Sequence, residues 1–265
     1  MKIAFVTDEI SLDVEEAVQI GTSWGIYDYE LRVIGDKRVP HFDEATVQQL
    51  LQLKEKYKIN YTALSPGTFK CTLKETEALE HEMRTVLPET CRLAKLLGTD
   101  MIITFGFQRY ENEPAENQGR VVLLLKEVAA LAEEQGLMIA VENEPGFWCD
   151  SGQNTARILR KVRSTSVRAN WDPGNAVGSD ERPYPEGYEA IKEWIVNVHV
   201  KDSIKGALVE CVPVGEGKID WTGQLQAIKR ERLVEHVTIE THCLPLVEKS
   251  AQNLKTVREI LGLKE

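Results

Sequence analysis

Four ionisable residues in the second half of the chain, Glu142, Asp172, His199 and Glu240, each stand at the end of a short run rich in β-branched residues. Brought together, three carboxylates would repel one another, and burying them would cost free energy unless a cation balanced them. An imidazole adds one neutral nitrogen ligand. This oxygen-rich set suits one divalent metal ion, Mn²⁺ or Mg²⁺ first, with Zn²⁺, Co²⁺ or Fe²⁺ also compatible. Such an ion is a Lewis acid toward carbonyl and hydroxyl oxygens, and a side chain beside it is placed to move protons. Each residue alone has an ordinary alternative: a glutamate at a strand end is often solvated or ion-paired, and a strand histidine often a hydrogen-bonded core residue. Recurrence at the ends of consecutive strands favours the shared ion.

That convergence requires a scaffold. Short β-rich runs at Lys2–Thr7, Tyr27–Val33, Ile59–Leu64, Met101–Phe105, Leu137–Glu142, Val167–Asp172, Val196–Lys201 and His236–Thr241 alternate with segments of helical periodicity. Val121, Leu124, Leu125, Val128 and Leu131 make one apolar stripe; Leu254, Val257, Ile260 and Leu261 make another. Gly98 and Gly136 stand where helices should stop. Eight such units predict an α/β chain folded as a (β/α)8 TIM barrel, one domain over residues 1–265. An open doubly wound sheet would usually carry a glycine-rich phosphate loop after an early strand, and Thr7-Asp8-Glu9-Ile10-Ser11 follows the first strand instead. Strand parity sets Ile139, Val141, Ala169, Trp171, Val198, Val200, Val237 and Ile239 toward the helices. The opposite face carries Glu142, Asn170, Asp172, Asn197, His199, Lys201, Thr238, Glu240 and His242. The C-terminal strand ends, where barrels place their active sites, therefore hold the four candidate ligands.

The local sequences are distinctive: Val141-Glu142-Asn143-Glu144-Pro145, Asn170-Trp171-Asp172-Pro173-Gly174-Asn175, Asn197-Val198-His199-Val200-Lys201-Asp202, Val214-Gly215-Glu216-Gly217-Lys218-Ile219-Asp220-Trp221 and Thr238-Ile239-Glu240-Thr241-His242. On these motifs the sequence resembles the xylose isomerase-like barrel superfamily, in particular its sugar phosphate isomerase/epimerase branch. That branch includes proteins similar to inosose dehydratases, hydroxypyruvate isomerases and ketose 3-epimerases. The motifs cover the second half; the first half agrees in its strand–helix alternation and in Tyr29-Glu30-Leu31-Arg32. The resemblance implies that Glu142, Asp172, His199 and Glu240 match the four metal ligands, and that Glu142 and Glu240 also form the catalytic acid/base pair. The expected activity is isomerisation or epimerisation of a small sugar or sugar-like substrate through an enediolate, with a metal-dependent dehydratase of inosose or dehydroshikimate type as the alternative.

Further residues are candidates for substrate contact. Lys201 shares the inward face with His199, where it can neutralise a substrate oxyanion or pair with Asp202. Asn175 can meet a hydroxyl or close an Asx turn. Glu216, between two glycines, can reach the site or shape a turn; His242 is inward by parity and can contact substrate or be exposed at the surface; Glu30 can line the pocket or balance Arg32. Trp24, Phe107 and Trp148 fall in or beside loops expected at the C-terminal face, where they can form an apolar pocket wall or simply pack. Arg109, Lys70, Arg182 and Lys205 are loop cations able to meet an anion or simply to be solvated. The irregular stretch Asp202–Gly217 is long enough to be functional.

Composition narrows the classes. A net charge of −10 disfavours a nucleic-acid partner. No apolar run approaches the ~20 residues that span a bilayer, so no membrane partner is expected. The start Met1-Lys2-Ile3-Ala4-Phe5-Val6 leads at once into Asp8 and Glu9, a first strand and not a signal peptide. Five scattered cysteines without a C-x-x-C pair fit reduced thiols in a cytoplasmic protein. The expected partner is a small sugar-like molecule, and a homo-oligomer is compatible. Endonuclease IV shares the superfamily, but its zinc cluster needs histidines where this chain has Ser65-Pro66-Gly67, Phe105-Gly106 and Asn175. A non-catalytic binding protein is the remaining class, and retention of both glutamates argues against it.

Overall fold

The computed structural model describes residues 1–179, 181–205 and 210–263. Eight parallel strands close into a barrel in chain order: β1 (Lys2–Val6), β2 (Asp28–Leu31), β3 (Asn60–Leu64), β4 (Met101–Phe105), β5 (Met138–Glu142), β6 (Val167–Trp171), β7 (Ile195–Val200) and β8 (His236–Ile239). Pairing of β1 with β8, Lys2 opposite His236 and Phe5 opposite Ile239, closes the ring. The predicted TIM barrel is therefore the fold. β2 stops at Leu31, short of the expected Val33, because Val33–Ile34 turns into a small hairpin with Lys37–Arg38.

Helices follow the strands for reasons visible in the sequence. Asp13 starts α1 (Val14–Ser23) by accepting from the Glu15 and Glu16 N–H groups at 2.9 and 3.1 Å. Asp43 caps α2 (Glu44–Tyr57), and α3 (Leu87–Leu97) continues a helix that begins at Thr76 and widens over Glu82–Val86. α3 and α4 (Gln118–Gln135) end on Gly98 and Gly136 in the left-handed conformation, φ 69° and 67°, where a side chain would be strained. Ser151 caps α5 (Gly152–Val162); α6 is the short Tyr188–Ile191, α7 Trp221–Glu231 and α8 Leu246–Leu261.

The predicted stripes face the barrel: Val121, Leu125 and Val128 of α4, and Leu254, Val257 and Leu261 of α8, are buried, with Leu124, Leu131 and Ile260 half-buried beside them. Each fully buried aliphatic side chain contributes about 1.5–3 kcal/mol. They pack on the outward strand residues Ile139, Val141, Ala169, Trp171, Val198, Val200, Val237 and Ile239, all buried. Inside the barrel a small separate apolar cluster, Ala63, Ile103 and Ala140, fills the space below the polar strand ends. Cys71, Cys91, Cys149 and Cys243 are buried thiols. Among the described residues no helix is long and apolar enough to cross a membrane.

The expected irregular stretch Asp202–Gly217 is more ordered than its sequence suggests. Asp202–Ser203 pairs antiparallel with Cys211–Val212, and residues 206–209 lie outside the described ones. Asp202 is buried and accepts from the backbone N–H of Ser203 (2.9 Å), Gly215 (2.9 Å), Gly217 (3.1 Å) and Ile219 (3.4 Å). Gly217 has no room for a side chain: a Cβ there would stand 2.0 Å from Asp202 Oδ1.

Candidate metal centre

Parity delivers the four candidate ligands to one place. Glu142 ends β5, Asp172 follows β6, His199 lies in β7 and Glu240 follows β8; all four are buried. One ligand atom from each lies within 4.8 Å of all the others. His199 Nε2 is fixed on Glu30 Oε2 at 2.9 Å. Its Nδ1 has no hydrogen-bond partner and faces Glu142 Oε2 at 3.4 Å and Glu240 Oε2 at 3.5 Å. That places the ring nitrogen between two carboxylates, where a proton or a divalent cation can be shared.

Glu142 is held from below. Asn170 Nδ2 donates to its Oε2 at 3.1 Å, and Asn175 Nδ2 to its Oε1 at 3.0 Å. The support continues around the barrel: Thr238 Oγ1 donates to Asn197 Oδ1 (3.2 Å), and Asn197 Nδ2 to Asn170 Oδ1 (3.1 Å). Asp172 is fixed through its backbone, which exchanges two 2.8 Å hydrogen bonds with the Asn143 side chain. Its Oδ1 accepts from the Asn175 N–H at 3.0 Å, starting the short helix Pro173–Ala176. Asn175 thus closes an Asx turn and also reaches the site.

Lys201 is fully enclosed, and its expected partner is corrected. Its Nζ lies 2.6 Å from Asp172 Oδ2 and 2.9 Å from Glu240 Oε2, while Asp202 is taken up by backbone amides. The other oxygen of Glu240 faces Arg32 Nη1 at 2.6 Å and His242 Nε2 at 2.9 Å. Arg32 also binds Asp8 at 2.8 Å and Glu9; His242 Nδ1 lies 3.0 Å from Glu9 Oε1.

Burial opposes every charge here, yet partners decide the outcome for most. Glu240 stays well below the ordinary carboxylate range because Lys201, His242 and His199 outweigh its burial. Glu142 is lowered in the same way, chiefly by His199. Lys201 and His199 are raised well above their ordinary values despite burial, Lys201 by Asp172 and Glu240, His199 by Glu30 and Glu142. Asp172 is the exception: burial pushes it up to about 6 against the pull of Lys201, with Glu142 and Glu240 adding to the rise. Across the connected network six carboxylates (Asp8, Glu9, Glu30, Glu142, Asp172, Glu240) meet at most four cations (Arg32, Lys201, His199, His242), so the network carries more acidic than basic groups. The donor set and its charge fit a divalent cation.

A cavity of about 230 Å³ opens above the cluster, and Glu30, Asn175, His199, Lys201, Glu240 and His242 all line it. Glu216 does not. It is exposed and accepts from Gln252 Nε2 at 2.9 Å, because the turn around Asp202 directs it to solvent. Trp24 lies at the opposite end of the barrel, at the end of α1, against Phe5. Phe107 is buried on Phe69 and Trp148 under Arg109; neither lines the cavity, whose apolar wall is Ile103 and Phe105. Of the loop cations, Lys70 reaches the cavity, paired with Glu144 at 2.9 Å, whereas Arg182 and Lys205 pair with Glu186 and Glu210 at the surface. The sequence reading missed Arg32, Arg38 and Asp8 in the cavity wall. The acidic pair straight after β1 and the basic residue straight after β2 were the available signals.

The model of the xylose isomerase-like TIM barrel family matches residues 15–261. Among solved structures, the chain is similar to a D-tagatose 3-epimerase-like protein (18% identity, TM-score 0.81, 99% of this chain and 98% of the other). It is similar to the IolI protein with a binding zinc atom (19%, 0.81, 99% and 98%). It is also similar to the probable 3-DHS dehydratase of petrobactin synthesis from Bacillus anthracis (18%, 0.78, 100% of both). At these identities the likeness is one of fold.

Proposed function

This chain belongs to the xylose isomerase-like TIM barrel family, and from that premise we propose that it is a divalent-metal-dependent isomerase or epimerase of a small sugar-like substrate. The observation that carries the reading is the convergence of four buried donors from four successive strands, with one ligand atom each of Glu142, Asp172, His199 and Glu240 within 4.8 Å of all the others. Glu142, Asp172, His199 and Glu240 would hold the cation, Mn²⁺ or Mg²⁺ by donor chemistry, with zinc, cobalt and iron compatible. A bound divalent cation supplies Lewis acidity to a substrate carbonyl and its neighbouring hydroxyl, which makes the adjacent C–H acidic.

The chain's own groups then handle the proton. Glu142 and Glu240 are kept ionised by their surroundings and approach His199 Nδ1 at 3.4 and 3.5 Å. One takes the proton from carbon and the other returns it. Return to the opposite face of the same carbon gives an epimer; return to the neighbouring carbon gives an isomer. The asparagines under Glu142 fix its carboxylate, and Arg32 and His242 fix that of Glu240. Lys201, Asn175 and Glu30 line the cavity at positions suited to substrate oxygens.

Dehydration is the second reading. His242, beside Glu240 in the cavity wall, is suited to protonate a departing hydroxyl, and the probable 3-DHS dehydratase aligns over its full length. A nucleic-acid substrate finds little support: the cavity wall supplies only His199 and His242 as imidazoles among the described residues.

The test is metal analysis of the purified protein, followed by C–H exchange in D₂O with a panel of ketoses. Bound divalent metal and washout of one substrate proton support the reading. Protein that binds no divalent metal, or metal-loaded protein that exchanges no C–H in any ketose, rejects it.

A further inference from the structure

The cations in the cavity wall are nearly all spoken for. Arg32 is matched by Asp8, Glu9 and Glu240, Lys201 by Asp172 and Glu240, Lys70 by Glu144, and His242 by Glu9 and Glu240. Arg38 is different. It lines the same cavity and forms no ion pair among the described residues.

Solvent reaches Arg38, yet the side chain is seated. It stands on the hairpin that follows β2, and its Nη1 donates to the Ser65 carbonyl at 3.3 Å. The guanidinium lies against Gly67, where a Cβ would meet Nη1 at 2.9 Å and Cδ and Cζ at 3.4 Å. The Ser65-Pro66-Gly67 turn therefore leaves the space the guanidinium fills. A planar fork of donors, held on one side by a carbonyl and a glycine and lacking a carboxylate, is a receptor for an anion.

Its place in the barrel fixes which end of a ligand it would meet. Glu142, Asp172, His199 and Glu240 come from β5 to β8, whereas Arg38, Ser65, Ile103 and Phe105 come from β2 to β4 and the segments after them. A ligand whose reacting carbons sit at the carboxylate cluster extends its other end toward Arg38, along the apolar wall of Ile103 and Phe105. We propose that the substrate carries an anionic group, a carboxylate or a phosphate monoester, remote from its reacting carbons, and that Arg38 receives it. The proposal rests on the isomerase reading for which end reacts, and it adds the substrate's charge.

The test uses metal-loaded protein and three unreactive polyols: sorbitol, gluconate and sorbitol 6-phosphate. Calorimetry should show at least one anion binding tighter than sorbitol, and the better of the two identifies the anion. Arg38→Ala should weaken the preferred anion by roughly 10–100-fold, the worth of a charge-assisted pair, and leave sorbitol unchanged. Arg38→Lys, which keeps the charge without the fork, should fall between. Sorbitol binding as tightly as both anions, no measurable binding of either anion, or equal weakening of all three ligands by Arg38→Ala would each overturn the proposal. Because the assay needs no turnover, it separates from the parent reading. Anion preference through Arg38 without C–H exchange would sink the isomerase and keep the anion receptor. Exchange on neutral ketoses without anion preference would do the reverse.

Discussion

Replacing Lys201 by methionine is the sharpest perturbation of the candidate centre. The two side chains are similar in length and shape, so packing changes little and the charge alone is removed. In the native protein the ammonium is buried, 2.6 Å from Asp172 Oδ2 and 2.9 Å from Glu240 Oε2. Removing one partner of a buried ion pair costs about 3–5 kcal/mol, because the remaining charges stay desolvated. For a domain of this size each kcal/mol moves the melting temperature by about 2–4 °C, so the metal-free variant should melt roughly 6–20 °C lower. A divalent cation held at a thousandfold excess over its Kd returns about 4 kcal/mol, close to the deficit. Melting curves in EDTA and in saturating Mn²⁺ are the assay. The variant should gain more from the ion than the native protein does, since the ion replaces the missing positive charge. A variant that melts with the native protein in EDTA, or two proteins stabilised equally by Mn²⁺, would refute the charge argument.

Four other outcomes are expected. Glu142→Gln or Glu240→Gln should slow C–H exchange by ~10²–10⁴-fold, measured on protein checked for metal content; near-normal exchange would remove the acid/base assignment. Glu216→Ala should leave kcat/KM within about twofold, as for an exposed residue outside the cavity. Gly217→Ala should destabilise the chain by about 1–3 kcal/mol in denaturant titrations, as the loop moves off Asp202. Burial lowers His236 from its ordinary 6.5, so the unfolded chain takes up the proton first. The stability this neutral ring contributes is whole above pH 6.5 and declines as the pH falls through its lowered value, and His236→Gln should flatten that slope in pH-dependent melts.

Much of the centre was legible because strand parity is strict. Once β5 to β8 were placed, Glu142, Asn170, Asn197, His199, Thr238 and Glu240 had to share the inner face, and the outward set had to be apolar. What escaped belongs to segments without a period. Arg38 stands on a short hairpin beyond the expected second strand, where no periodicity marks a direction, and Arg32 reaches Glu240 across 208 positions of chain. Trp24 lies at the far end from the expected one because a helix returning from β1 carries its last residue away from the mouth. Of the two roles open to Glu216, the site or a turn, the amides drawn to Asp202 leave it in the turn, facing outward.

The ring of amides and hydroxyl beneath Glu142 has a consequence of its own. Thr238, Asn197 and Asn170 hand a donor from strand to strand and end on a carboxylate, while Ala63, Ile103 and Ala140 fill the barrel beneath. None of these side chains carries a charge, so the ring fixes the carboxylate of Glu142 without adding an ion pair beneath it. Ile103 belongs to both sides, since it packs on Ala63 and Ala140 and also forms part of the cavity wall. An engineer seeking new chemistry on this scaffold would vary the cavity wall and leave Ala63 and Ala140 in place.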